Sequence, residues 1–375
     1  MTDNTGAVLL GDVLDVAKLG DAIEAGLIMI NAHPERDLFI LGYTNQAQFD
    51  RVWTHETKTC RGLIVKGDPR LGNSEVVSRP FAKFANAAEH GEGSVFGELP
   101  THQTFEAFEK LDGSLAILYH DGEEYALATR GSFVSDQARV ANRVWRERYG
   151  DVVPPEGVTL LFEFIAPWNR IVVNYGLEED LVLLAAIDTA TGADVTLPEW
   201  PGRVARRYDE FSDFSELAAF VGREDMDNAE GFVVRFIPED EGVASVRAKL
   251  KFAEYLRLHK LVTGVNSLAV WENLSKGLDL DELIGRVPDE FFEFVTSTAA
   301  ELRAEQAALV AAARRVASGV AGMDRKAAAG VILAQSEAVP FLVFGVLDEK
   351  DVDELAWRMV KPEFTRPFFN MGSPD

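Results

Sequence analysis

The chain has 375 residues, 47% of them hydrophobic, and a formal charge of −24 from 37 Lys and Arg against 61 Asp and Glu. That length and apolar content suit two globular domains and exclude a chain disordered throughout. A single cysteine, Cys60, excludes an intrachain disulfide and a multi-cysteine zinc site, and the six histidines show no HExxH pairing, so any metal is expected on oxygen ligands.

No basic, then apolar, leader opens the sequence, and no run approaches the roughly 18 apolar residues of a membrane span. A soluble, cytoplasmic protein without membrane contact is the expectation. The negative charge argues against coating nucleic acid non-specifically, since such binding comes from Lys and Arg displacing counterions. A small basic pocket in an acidic surface can still take a nucleotide or a phosphate end.

From about residue 37 to 255, short apolar runs alternate with turns: DLFILGY, RGLIV, EVVSRPF, SLAILYHDGEEYALATRG, VTLLFEFI, RIVVNYG, LVLLAAID, GFVVRF and VRAKLKF. These predict strands. Asp121-Gly122 predicts the turn of a hairpin. Helices are expected at VSDQARVANRVWRERYG and DFSELAAFVG, giving an α+β unit with a mostly antiparallel sheet. Beyond about residue 258 the pattern turns helical, with DELIGRVPDEFFEFVTSTAAEL and AEQAALVAAARRVAS, so the chain divides into residues 1–258 and an all-α domain, 259–375.

Lys110-Leu-Asp112-Gly113-Ser114 stands just before a strand. A lysine attacks phosphorus only as the neutral amine, which requires burial or nearby positive charge. The competing structural reading is a surface turn. Further on, Lys249 and Lys251 alternate along a strand and share a face, which suits a triphosphate or, equally, a lysine-guarded edge strand. Glu163 and Glu230 lie in or beside apolar strands, where a carboxylate needs a donor or a cation. A structural ion pair would meet that need as well.

In order, Lys110-x-Asp112-Gly113, Glu163 in FEF, Glu230-Gly231 and Lys249-x-Lys251 resemble motifs I, III, IV and V of the covalent nucleotidyltransferases: DNA ligases, RNA ligases and mRNA capping enzymes. More narrowly, TCRGLIV, SRPFAKFAN, KLDGSLAILYHDGEEY, TRGSFVSDQA, FEFIAPWNRIVVNY and KLKFAEYLRLH resemble the RNA ligase 1 family of T-even phages, closely over about residues 37–260.

The resemblance implies an ATP-grasp-like ligase domain and ATP-dependent sealing of RNA 5′-phosphate and 3′-hydroxyl ends. RNA repair on a substrate such as nicked tRNA is the expected setting, and a monomer the expected state. It implies that Lys110 carries AMP, with Asp112 orienting or activating it. Arg61 would meet a phosphate or the lysine region, while Lys83 and Arg130 add charge. Glu163 would bind the ribose hydroxyl. Glu230 would hold Mg²⁺ or Mn²⁺, directly or through water, and Lys249 and Lys251 would hold phosphates. Tyr255 matches a family tyrosine, as an RNA or phosphate contact or as a packing residue.

The chain departs from the pattern twice. LVLLA at 181–185 offers no aromatic ring for adenine, so Val182 or Leu183 together with Val233 are expected to hold it. Arg130 stands where the family has a lysine in a KGS segment. Two other readings share these residues: an idle nucleotide or RNA binder, and a protein adenylyltransferase. Helices after motif V, in place of an oligonucleotide-binding barrel, favour the RNA ligase over DNA ligases and capping enzymes.

Overall fold

The computed structural model describes residues 6–223, 226, 228–253, 255–256, 265–278, 280 and 292–365. The chain divides into two units, Met1–Leu256 and Arg257–Asp375.

The first unit carries β1 (Ile28–Ala32), β2 (Leu38–Tyr43), β3 (Arg61–Lys66), β4 (Glu75–Ser78), β5 (Ala85–Asn86), β6 (Phe105–Glu109) and β7 (Ser114–His120). It continues with β8 (Tyr125–Thr129), β9 (Val158–Ile165), β10 (Asp180–Asp188), β11 (Asp194–Val195), β12 (Arg207–Tyr208), β13 (Gly231–Phe236) and β14 (Val246–Lys251). Three sheets result, in the orders β1-β2-β3-β4, β11-β10-β9-β7-β8 and β12-β6-β13-β14-β5. Among these strands, β14 with β5 is parallel and the other pairs are antiparallel, the α+β arrangement expected.

The run VTLLFEFI is apolar on both faces because β9 is covered on both sides. Phe162 and Phe164 pack with Trp145 and Tyr149, from the helical stretch after Asp136–Val144, whereas Leu161 and Ile165 belong to the cores on the other side. β9 therefore holds Glu163 in a fixed place between two layers. On the third sheet, Phe232 on β13 packs edge-on against Phe252, and both meet Phe220 of the helix Phe214–Arg223.

Several expectations change. RIVVNYG forms no strand: the Val172 and Val173 amides donate to Asp112 Oδ2, at 2.7 and 2.9 Å, which removes them from any ladder. The hairpin turn runs through four residues, because Asp121 Oδ1 accepts from the Glu123 and Glu124 amides and pairing resumes at His120 with Tyr125. β1 and β6 were not expected; β1 adds to β2 and β6 lies beside β13.

In the second unit the described helices are Ser267–Ser275, Phe292–Gly319, Arg325–Ala334, Pro340–Leu347 and Val352–Met359. The helical expectation for residues 281–291 lies outside the described residues. The long helix packs Val310, Ala313 and Ala317 with Leu342, Val343 and Ala356. Among the described residues no helix is long and apolar enough to cross a membrane.

Gly231 sits at φ +143°, and a Cβ there would collide with Leu250 O and stand 2.8 Å from Lys251 Cα. That approach lets Glu230 reach across to β14. Gly231→Ala should therefore cost roughly 3 kcal/mol or more, from backbone strain and from separating β13 and β14. Urea titration with an unchanged midpoint would refute it.

Candidate active site

Lys110 follows β6, tied there by its amide donating to Gly231 O at 2.9 Å. Its Nζ lies 2.7 Å from Glu230 Oε2, and Lys251 Nζ lies 2.8 Å from Glu230 Oε1. Glu230, 2% exposed, is thus shared by two ammonium groups. The contact to Lys110 is close but not aligned as a hydrogen bond, which leaves buried Oε2 without a hydrogen-bond donor.

Beside Lys110 opens a cavity of about 540 Å³. Its walls include Lys110, Arg61, Arg130, Glu163, Val233 and Lys249. Glu163 Oε1 accepts from the Gly113 amide at 3.0 Å, and a side chain on Gly113 would collide with Phe164 O. Burial pushes the Glu163 carboxyl up to about 7, an effect opposed by Lys110 and reinforced by Glu230 and Asp112.

Three cations lie against rings. The Arg61 guanidinium is 5.1 and 5.6 Å from the centroids of Phe81 and Phe84, Lys249 Nζ is 4.8 Å from Phe84, and the Arg130 guanidinium is 4.5 Å from Tyr43. Burial holds the Lys249 ammonium well below the usual lysine range, and Lys83, Arg61, Lys110 and Lys251 push it further down. Burial also lowers the Arg61 guanidinium, whose buried Nη1 has no hydrogen-bond partner. Such a cluster of poorly compensated positive charge is what an anion relieves.

Not every expected residue faces the cavity. Asp112 is buried, with Oδ2 on the Val172 and Val173 amides and Oδ1 accepting from the Tyr255 hydroxyl at 3.0 Å. It anchors a loop, its carboxylate oxygens turned to these donors. Tyr255 is 3% exposed, so its ring offers no surface to RNA; it packs inward, where Lys251 Nζ lies 5.0 Å from its centroid. Lys83 lines a neighbouring groove, with Nζ 5.3 Å from the Trp53 ring.

Val182 and Leu183 are fully buried in the cores. A bulge between Leu183 and Ala185 shifts the register of β10, and Leu184 and Ala185 face the cavity instead, with Val233. The sequence reading missed Tyr43, Phe81, Phe84, Phe108, Arg235 and Arg247, all on the cavity wall. Arg247 had a visible signal, since it continues the alternation of Lys249 and Lys251. It opposes Arg235 across β13 and β14, and Asp194 pairs with both.

A family model described as RNA ligase matches residues 59–255, more than half of the chain. A protein of Autographa californica nuclear polyhedrosis virus, named as a bifunctional polynucleotide kinase/RNA ligase, is 27% identical over 256 residues, which are 62% of this chain and 35% of that protein. One of Thermovibrio ammonificans, named as an RNA ligase, is 28% identical over 248 residues, 62% of this chain and 61% of that protein. The chain therefore spans about a third and about three fifths of these relatives' lengths. An archaeal ATP-dependent RNA ligase structure, 14% identical, covers 89% of this chain and 96% of its own, at a TM-score of 0.42, a likeness too loose to bear on the fold.

The raised Glu163 carboxyl has a pH signature. Between its ordinary value of 4.5 and about 7, the folded chain holds this proton more tightly than the unfolded chain does, so stability falls as pH rises through that window. Glu163→Gln should flatten the fall and raise stability at pH 8 by up to ~3 kcal/mol, with little gain at pH 4. Thermal melts of both proteins across that range check this, and an equal gain at both ends would refute it.

Proposed function

The chain belongs to the RNA ligase family, and on that premise we propose that it seals RNA 5′-phosphate ends to 3′-hydroxyl ends with ATP, carrying AMP on Lys110. One observation supports this above the others: the Lys110 amine stands at the wall of a cavity of nucleotide size whose other polar groups include Arg61, Arg130, Lys249 and Glu163.

The cavity suits ATP. Leu184, Ala185 and Val233 give apolar surface for a base, and Glu163, above a pH of about 7, accepts from a ribose hydroxyl. Arg61 and Lys249 face the phosphates. Lys110 Nζ, having released one proton to solvent, attacks the α-phosphorus; a P–N bond forms as the P–O bond to pyrophosphate breaks, and a second Nζ proton passes to solvent, to be regained when the P–N bond later breaks.

An oxygen of the RNA 5′-phosphate then attacks the same phosphorus. The P–N bond breaks and Lys110 recovers its amine. Finally a 3′-hydroxyl attacks the phosphorus of the 5′ end and AMP leaves. In each step Lys249 and Arg61 meet charge developing on phosphate oxygens, and their fixed positions against Phe84 and Phe81 require little reorganisation.

Magnesium or manganese fits Glu230. Its Oε2 is a buried oxygen without a hydrogen-bond partner, and among the described residues no group of three His, Cys, Asp or Glu side chains could cage an ion. Glu230 would hold such a cation with few protein ligands, and the ion would supply positive charge to offset that of the phosphates.

Nicked tRNA is the substrate we propose, with the helical unit biasing the choice. In competition, a tRNA broken in a loop should be sealed in preference to an unstructured strand with the same ends. Equal kcat/KM for the two would remove this refinement and leave the ligase reading intact.

Incubation with α-labelled ATP and magnesium tests the reaction itself. Wild type should take up an acid-labile label and Lys110→Ala should stay blank. No label on wild type freed of bound AMP would refute the ligase reading in favour of an idle binder. Label passed to proteins and not to RNA ends would point to a protein adenylyltransferase.

A further inference from the structure

Phe81 and Phe84 have two sides. One faces the nucleotide cavity, and the other faces an open groove of about 290 Å³ whose lining includes Lys58, Arg79, Lys83 and Phe96. That lining contains no Asp or Glu, although the chain has 61 acidic residues against 37 Lys and Arg.

The cations of the groove also differ in how they are paired. Several arginines elsewhere are matched to carboxylates, as with Arg203 to Glu109, Arg207 to Glu106 and Arg235 to Asp194. Among the described residues, Lys58, Arg79 and Lys83 have no carboxylate within ion-pair distance. Lys58 Nζ donates to Val95 O at 3.2 Å and lies 5.9 Å from the Phe96 ring centroid; Lys83 Nζ lies over Trp53. The groove thus sets positive charge beside aromatic faces: Arg79 donates to the Ala190 carbonyl and is attracted by Asp188, Lys83 is attracted by Glu89, and neither carboxylate comes within ion-pair distance. A single nucleic-acid strand presents the complement, with phosphates at regular intervals and bases that stack. On a surface that is otherwise strongly acidic, a polyanion is repelled except where such a patch offers it neutralisation.

We propose that this groove receives the phosphodiester backbone of a single-stranded RNA end, with Lys58 and Arg79 as phosphate contacts and Phe96 as a stacking surface. Its continuity with the cavity through Phe81, Phe84 and Arg247 sets the strand beside the site of chemistry. The proposal rests on the ligase reading for its substrate, but it concerns binding alone and can be tested alone.

The test is fluorescence anisotropy of the full-length protein with a 5′-phosphorylated single-stranded RNA 12-mer at several salt concentrations, run beside ATP labelling. Lys58→Glu should weaken RNA binding about tenfold and reduce the salt slope, while ATP labelling stays within about twofold of wild type. Lys58→Arg should bind as wild type does. Lys18→Glu, a charge reversal on the exposed face of the helix Val16–Glu24, which lines neither the groove nor the cavity, serves as the control and should change binding little.

Unchanged RNA affinity in Lys58→Glu, or an equal loss in Lys18→Glu, would overturn the proposal. Slower ATP labelling with unchanged RNA affinity would also overturn it, assigning the groove to departing pyrophosphate. If wild type binds RNA through Lys58 but takes up no label, the groove stands and the ligase reading falls.

Discussion

Glu230 sits between two ammonium groups that would otherwise repel each other in a poorly hydrated place, and the layout of the site follows from that sharing. Lys110 comes from the end of β6 and Lys251 from the end of β14, so one carboxylate closes the gap between separate strands. Gly231 permits it by letting the two backbones approach where a side chain would hold them apart. A buried carboxylate is costly unless compensated, and here the compensation comes from two lysine ammonium groups. Order at the site and the role proposed for Lys110 are therefore opposed: the ion pair that positions Lys110 would have to loosen before its amine could act.

A second buried carboxylate does a different job. Asp112 gathers the Val172 and Val173 amides and the Tyr255 hydroxyl, so a segment far along the chain is pinned directly behind the Lys110 loop. The KLDG motif thus divides its labour: the lysine faces the cavity, the aspartate binds the scaffold, and the glycine brings its amide to Glu163.

Much of this was legible in the sequence wherever one pattern had one meaning. β9, β10 and β13 follow the apolar runs within a residue or so, because strands covered on both faces leave long hydrophobic stretches, and β14 follows its alternation of basic and apolar residues. RIVVNYG was misread because its strand-like composition says nothing of a distant aspartate that claims its amides. Leu184 was missed because a bulge leaves no compositional trace. Tyr255 was ambiguous since a tyrosine can turn its hydroxyl either outward or, as here, onto a buried acceptor. Phe81 and Phe84 escaped notice because what sets them apart is three cations, brought from other strands, resting on their rings.

The bulge in β10 has a consequence for how such a pocket can diversify. Up to Leu183 and again from Ala185 the strand is paired with β9, but Leu184 itself has no partner in that ladder. Its side chain forms cavity wall while its backbone lies outside the ladder with β9. Changes of size at this position can therefore reshape the cavity without breaking the sheet that carries Glu163, so what the cavity admits and the integrity of the scaffold are able to drift independently.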